Sequence, residues 1–397
     1  MSNFDRIYSI DQEYVCHSYG RFPVAVERGE NATCVDFDGK KYIDFTSGIG
    51  VNSLGFCDKG WVSAITAQAA RLQHISNLYY TEPCALLAKT LCERTGMKKV
   101  FFANGGAEAN EGAIKAARKY SFMKYGSGRN KILTLINSFH GRTITTLSAT
   151  GQDVFHNYFF PFTEGFEHIP AGDIGALKSS SDGVCALMVE LIQGEGGVMT
   201  VDKDYIKEAA RFCHDNDILF IVDEVQTGMG RTGSLFCFEQ YGISPDIVTV
   251  AKGIGGGLPL AAVLFGERTQ DVFQPGDHAT TFGGNPIACA GALEIMRRLD
   301  KDFLQEVSEK GNYICDMVKN MPHVTGTSGM GLMIGIALED GYKSADVVRA
   351  GLKTGVLLLT AKTKVRLLPP LSITYSEIDD GLKAFKEALD SIELCIC

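Results

Sequence analysis

The stretch DYIKEAARFCHDNDILFIVDE, residues 204–224, runs from a helix-periodic segment into an unbroken apolar run that ends on an acid, Asp223. An apolar run of this length, with no polar alternation, suits a strand covered on both faces. A helix feeding directly into such a strand is half of a crossover unit. The same alternation extends outward in both directions. Upstream lie KVFFA (99–103), EANEGAIKAARKYSFMKYG (108–126), KILTLI (131–136) and CALMVEL (185–191); downstream lies the run that begins at Ile247. Apolar strands alternating with periodic helices predict parallel strands joined by crossover helices, a doubly wound, mainly parallel α/β sheet from about Lys59 to about Leu293. Ligands of such sheets belong at the C-terminal ends of the strands.

The flanks read differently. CVDFDGKKYIDF (34–45) carries Asp38-Gly39 between two alternating strands, a hairpin signal. Beyond Ala292 the pattern turns to amphipathic helices, LEIMRRLDKDFLQEVSEKGNYICDMVKNM (293–321) and EIDDGLKAFKEALDSIE (377–393), around short strands such as LMIGIAL (332–338). The expected division is an N-terminal segment, 1–58, joining a smaller α+β domain formed by 293–397, with a large domain over 59–292.

The chain has 397 residues and a formal charge of −9 from 38 basic and 47 acidic side chains, which argues against nucleic acid or an anionic membrane as partner. Its 12 cysteines are scattered, with no C-x-x-C pair to suggest a metal or redox site, and read as free thiols. The first 20 residues place Asp5, Asp11 and Glu13 where a signal peptide needs an apolar core, and no run is long enough to span a bilayer. A cytoplasmic location and no metal are the expectations. Asn31-Ala32-Thr33 is read as a chance match to a glycosylation acceptor.

Four features sit where strands end. In IVTVAKGIGGGLPLAAV (247–263), Lys252 closes an apolar run and is followed by four glycines in five positions. The glycines fit neither a P-loop nor the dinucleotide fingerprint. Asp223 is a carboxylate at a buried strand end, costly without a partner. Gly105 and Gly106 lie between a strand and a helix starting near Ala107, where free amides suit a phosphate. In NSFHGRT (137–143), Phe139 is read as ending a strand and is followed by Arg142, an aromatic face beside a carboxylate clamp. Each has a plain alternative taken singly: a solvent-reaching lysine, a capping acid, an ordinary turn, a core phenylalanine. Together they supply a phosphate cradle, an aromatic platform, a carboxylate for a ring nitrogen and a lysine for an aldehyde, which is what pyridoxal 5′-phosphate requires.

Ordered along the chain stand YGRFPV (19–24), SNLYYTEP (76–83), EANE (108–111), FHGRT (139–143), IQGEGGV (192–198), VDEVQTGMGRTG (222–233), PDIVTVAKGIGGGLP (245–259), TTFGGNP (280–286) and RLLPP (366–370). With them the chain resembles the ornithine-type branch of the class III pyridoxal-phosphate-dependent aminotransferases, from about Tyr14 to beyond Pro370. The resemblance implies the pyridoxal-phosphate transferase fold (fold type I) and a homodimer whose active sites are shared between subunits. It implies that Lys252 carries the cofactor, Asp223 faces the ring nitrogen, Phe139 stacks on the ring, Gly106 and Ala107 lie at the phosphate and Gln226 stands near the phenolic oxygen. Thr281 would reach the phosphate in the neighbouring subunit, with Thr280 near the substrate. Arg142, assisted by Tyr19, would bind a distal carboxylate, while Glu195 would mask Arg366 in one half-reaction and release it in the other.

The implied reaction moves the terminal amine of N2-acetyl-L-ornithine to 2-oxoglutarate. Ornithine, succinylornithine, 4-aminobutyrate and succinyl-diaminopimelate are rival donors that share the catalytic set. A binding protein without turnover is disfavoured by the intact Lys252, Asp223, Arg142 and Arg366. Gly105-Gly106-Ala107 replaces the usual Ser-Gly-Thr, so two hydroxyl donors to the phosphate are missing. Leu191 stands for a proline, and Phe56-Cys57 for Gly-His.

Overall fold

A computed structural model describes residues 2–392. Met1 and the last five residues of the expected C-terminal unit, including Glu393 of the final helical stretch, lie outside the described residues. The fold is α/β. Its central sheet has seven strands in the order Lys99–Ala103, Ala261–Phe265, Ile247–Val250, Leu219–Asp223, Val184–Val189, Lys131–Leu135, Phe166–Ile169. Ala261–Phe265 is antiparallel to both neighbours and the other pairs are parallel. Six strands therefore point the same way, and their C-terminal ends share one edge of the sheet.

The local chemistry explains the parallel core. Every residue of Val184–Val189, Leu219–Asp223 and Ile247–Val250 is buried, which a sheet covered on both faces demands. One cover is the helix Gly106–Tyr125, whose buried face is built from small residues, Ala109, Gly112, Ala113, Ala116 and Ala117. A Cβ on Gly112 would stand 3.1 Å from Val263 Cγ2, so this face sits close to the sheet. A second cover is Lys203–Asp215, capped by Asp202 and anchored through Tyr205, Ile206, Ala209 and Cys213.

Besides a two-stranded ribbon of Ile192–Gln193 with Met199–Thr200, two four-stranded sheets accompany this one. Val26–Glu30, Thr33–Asp36 and Lys41–Asp44 form antiparallel pairs joined in parallel by Val356–Leu357, so N-terminal and C-terminal segments share a sheet. Val324–Met330, Met333–Leu338, Lys364–Leu367 and Leu359–Ala361 form the other. The helices Pro286–Arg298 and Lys301–Val318 are separated at Leu299-Asp300, where the Asp300 carboxylate accepts the Phe303 amide at 2.9 Å. The helix Tyr375–Asp390 opens on a capping box between Thr374 and Glu377.

One detail departs from the sequence reading and another adds to it. Phe139 does not end a strand: the strand stops at Leu135, and Asn137 takes a left-handed φ of 69°, so Phe139 lies on the following loop. Asn3–Tyr14 is a helix that buries none of its residues and opens on a Ser2–Asp5 capping box. Cys34, Cys185, Cys213, Cys237 and Cys289 are buried free thiols, while Cys16 and Cys57 are exposed. Among the described residues no helix is long and apolar enough to cross a membrane, and no cluster of side chains suits a metal ion.

Candidate active site

A cavity of about 440 Å³ opens at the shared edge where the parallel strands end. It is lined by Lys252, Asp223, Phe139, Arg142, Gln226 and the Gly105–Ala107 turn, so residues from four strand ends converge. Lys252 follows Ile247–Val250 and adopts a left-handed φ of 48°, an uncommon state for a residue with a side chain. The turn beneath it is clamped: Gly255 donates to the Lys252 carbonyl at 3.1 Å, and Ser53 Oγ donates to the Gly253 carbonyl at 3.0 Å. Burial pushes the Lys252 ammonium below the ordinary lysine range, opposed by Glu195 and reinforced by Arg366.

Asp223 has the partners a buried carboxylate requires. Its Oδ2 accepts from Asn110 Nδ2 and from His140 Nδ1, each at 2.8 Å, and its Oδ1 accepts from the Val225 amide at 3.0 Å. Donation to a carboxylate places a proton on His140 Nδ1; Nε2 is buried without a partner. Asn110 is fixed in turn, since its Nδ2 also donates to the His140 carbonyl at 2.7 Å and its Oδ1 accepts from Thr249 Oγ1 at 2.7 Å. Glu190, at the end of the adjacent strand, accepts the Phe139 amide at 2.8 Å. Burial pushes its carboxyl up, with His140, the Phe139 amide and Lys252 opposing and Asp223 adding.

The helix over Gly106–Tyr125 starts without any side-chain cap. A Cβ on Gly105 would meet nothing within 4 Å, so the space over the helix start is open, whereas one on Gly106 would stand 2.8 Å from Val225 Cγ1. Free first-turn amides facing open space form an anion site.

Two arginines approach from different sides. Arg142 is exposed, with its guanidinium carbon 4.3 Å from the centre of the Phe155 ring and 5.5 Å from that of Phe139. Arg366, on the strand Lys364–Leu367, is buried, and its Nη1 donates to Glu195 Oε1 at 2.6 Å and Gln226 Oε1 at 3.2 Å. Burial by itself would raise the Glu195 carboxyl, but Arg366, Lys252 and Gln226 together hold it below the ordinary glutamate value.

Lys252, Asp223, Phe139, Gly106, Ala107, Gln226 and Arg142 thus line one cavity, with Glu195 and Arg366 attached through Gln226. Three expected residues stand apart. Thr280 Oγ1 accepts from Asn104 Nδ2 at 2.9 Å behind the cavity wall, Thr281 is exposed, and Tyr19 is 73% exposed beside Arg21. Sequence reasoning gave no role to Asn110, Glu190 or Phe155. Glu190 carried a signal of the same kind as Asp223, an acid closing a buried apolar run. The other two have partners set by the folded topology.

Residues 14–389 match the family described as aminotransferase class-III. An acetylornithine aminotransferase of Haemophilus ducreyi is 50% identical over 390 residues, covering 98% of this chain and 99% of the relative. One from Caldanaerobacter subterraneus is 46% identical over 391 residues, covering 96% and 98%. Among solved structures, the ornithine aminotransferase of Toxoplasma gondii superposes with a TM-score of 0.93 at 33% identity, covering 98% of this chain and 96% of its own. The N-acetylornithine aminotransferase of Stenotrophomonas maltophilia gives 0.83 at 33% identity, covering 96% and 98%.

Proposed function

Because the chain belongs to the class III aminotransferase family, we propose that it is the pyridoxal-phosphate-dependent enzyme that moves the terminal amino group of N2-acetyl-L-ornithine to 2-oxoglutarate. The products are N-acetyl-L-glutamate 5-semialdehyde and L-glutamate, a step of arginine biosynthesis. The fold is that of the family, fold type I. The observation that carries the reading is the placement of Glu195 against Arg366 beside a cavity that also holds Lys252 and the unmasked Arg142.

The cavity fits the cofactor: an amine, a carboxylate held by three donors, an aromatic ring and uncapped helix amides border one space of about 440 Å³. When bound, pyridoxal phosphate supplies an aldehyde for an amine and a ring that accepts electrons. Lys252 would hold the aldehyde and Asp223 would keep a proton on the ring nitrogen. Phe139 would stack on the ring, Gly106 and Ala107 would take the phosphate and Gln226 the phenolic oxygen. The Asn110 and His140 donors fix and orient the Asp223 carboxylate for that task. Once the incoming amine has released it, Lys252 Nζ, its proton affinity reduced by burial, would remove a proton from the carbon bearing the migrating amine and return one to complete the transfer.

Arg142 takes the carboxylate distal to the reacting carbon. In the first half-reaction Glu195 masks Arg366, because that donor has no carboxylate beside the reacting carbon. In the second, 2-oxoglutarate brings one, and Arg366 is released to bind it. Thr281, exposed and away from its own cavity, serves the neighbouring subunit's phosphate site in a homodimer, with Thr280 and Tyr19 at the shared rim. The units 1–58 with 293–397, and 59–292, form the small and large domains. We place the enzyme in the cytoplasm, acting on small molecules without nucleic acid.

The test is a half-reaction screen. The cofactor-loaded protein is mixed separately with acetylornithine, ornithine, succinylornithine and 4-aminobutyrate, and the loss of visible absorbance is timed. Acetylornithine should react fastest; a faster reaction with another donor reassigns the substrate.

A further inference from the structure

Arg142 and Arg366 are held by opposite means. Arg366 donates through Nη1 to the Glu195 carboxylate, which pairs with its charge. Among the described residues Arg142 forms no ion pair; what holds it is the face of Phe155 at 4.3 Å, with Phe139 further off at 5.5 Å. The nearby acid Glu111 is engaged elsewhere, accepting from Thr143 Oγ1 at 2.6 Å. The physical difference bears on recognition. An acid would fill the N–H edge of Arg142 and repel an incoming carboxylate. A ring contacts only the flat face, restrains a side chain with many rotamers, and leaves the edge free for a two-pronged bond.

Phe155 has a second contact. Its ring meets the Phe139 ring edge-on, with centres 5.6 Å apart and planes at 73°. Phe139 is the surface proposed to carry the cofactor. The three side chains form one cluster, in which the Phe155 ring lies against both the Arg142 guanidinium and the Phe139 ring.

We infer that Phe155 is a positioning residue for substrate specificity, holding Arg142 by its face at a fixed distance from the Phe139 platform so that the guanidinium edge takes the distal carboxylate. The inference rests on the aminotransferase reading above and explains how a pocket with an exposed arginine prefers carboxylates at one distance from the reacting carbon.

Glutarate, a five-carbon dicarboxylate with no amino or keto group, probes the site without reacting. Its affinity for the cofactor-loaded protein is measured by calorimetry, per bound cofactor, for wild type, Phe155→Leu, Phe155→Tyr, Arg142→Ala and the double variant Phe155→Leu/Arg142→Ala. Loss of the ring should weaken glutarate about three- to tenfold, and Tyr should restore it to within about twofold of wild type. In the Arg142→Ala background the Leu substitution should add less than about twofold, because its partner is already gone. Losses that multiply in the double variant, or a Tyr variant as weak as Leu, overturn the inference while leaving the enzyme's activity unchallenged. A wild-type protein that binds no glutarate and exchanges no amino groups overturns the parent reading, and this one with it.

Discussion

Glu195 Oε1 and Arg366 Nη1 stand 2.6 Å apart, and the same guanidinium nitrogen lies 3.2 Å from Gln226 Oε1. The charge of Arg366 is thereby neutralised in a site that must accept both a donor without and an acceptor with a carboxylate beside the reacting carbon. A permanently free arginine there would favour α-amino substrates. A static bridge would serve structure alone. Glu195→Ala should therefore speed the glutamate half-reaction relative to the acetylornithine one. Arg366→Ala should slow the glutamate and 2-oxoglutarate side by roughly 10²-fold and the other side much less. Rapid-mixing measurement of each half-reaction separately decides it, and equal losses on both sides for both variants would leave only the bridge.

Lys252 is the lysine whose backbone is held at φ 48° above a clamped glycine turn and whose side chain opens into the cavity. Borohydride reduction followed by peptide mapping should place the pyridoxyl label there and nowhere else. Lys252→Ala should cost roughly 10²–10⁴-fold in turnover, the usual worth of a positioned acid–base group. Since burial lowers its pKa, the limb of the rate profile that reports its deprotonation should fall below the ordinary lysine value near 10.4. A label on another lysine would refute the assignment.

How far residues alone reveal such a site is visible in these same positions. Val184–Val189 and Leu219–Asp223 are legible because strands buried on both faces must be continuously apolar, so an acid or lysine closing such a run stands out. Phe139 reads as a strand end because the apolar run continues to Ile136, while the left-handed Asn137 ends the strand at Leu135. Helix Asn3–Tyr14 buries no face, so its capping pair Ser2 and Asp5 is the main mark it leaves in the sequence. The Asp223 partners, Asn110 and His140, lie 113 and 83 residues away, so only the strand order brings them together.

Thr281 is exposed and absent from the cavity of its own chain. If it serves a neighbouring subunit, mixing Thr281→Ala with Lys252→Ala chains should give hybrid dimers with one doubly defective site and one intact site. Activity should rise toward half of the wild-type value per hybrid once subunits exchange. No activity despite demonstrated exchange would remove Thr281 from the partner's site.

Glu224 is fully buried, accepts from Thr227 Oγ1 and from the Phe238 amide at 2.8 Å, and has its carboxyl pushed by burial from an ordinary 4.5 up to about 7. The native state then holds a proton that the unfolded chain releases between pH 4.5 and 7, so stability falls as pH rises through that window. For this group the loss is on the order of 3 kcal/mol, complete above pH 7. Glu224→Gln cannot release the proton. The stability of the variant minus that of wild type should therefore rise between pH 5 and pH 8, read from urea midpoints. A difference that does not change with pH would show that Glu224 is already ionised at pH 5.

Gly105 stands at the start of the helix proposed to hold the phosphate where the related pattern has a serine, Gly106 matches that pattern's glycine, and the space around them sets the two apart. Gly105 sits at the N-cap with an extended φ of −148°, which any residue adopts, and a Cβ there meets nothing within 4 Å. Serine is also a better N-cap than glycine by a few tenths of a kcal/mol. Its hydroxyl would add a charge-assisted hydrogen bond to an anion that otherwise depends on backbone amides. Such bonds contribute about 1.5–3 kcal/mol, so Gly105→Ser should tighten cofactor retention roughly tenfold or more. At Gly106 the same change drives a Cβ to 2.8 Å from Val225 Cγ1 and 3.1 Å from its Cγ2, and Val225 follows the strand that carries Asp223. Gly106→Ser should therefore weaken retention by displacing the loop beside Asp223, the carboxylate proposed for the ring nitrogen. Equilibrium dialysis of pyridoxal phosphate against both variants and wild type reads the order directly. If Gly105→Ser binds no tighter than wild type, the helix amides already saturate the phosphate and the missing hydroxyls carry no cost.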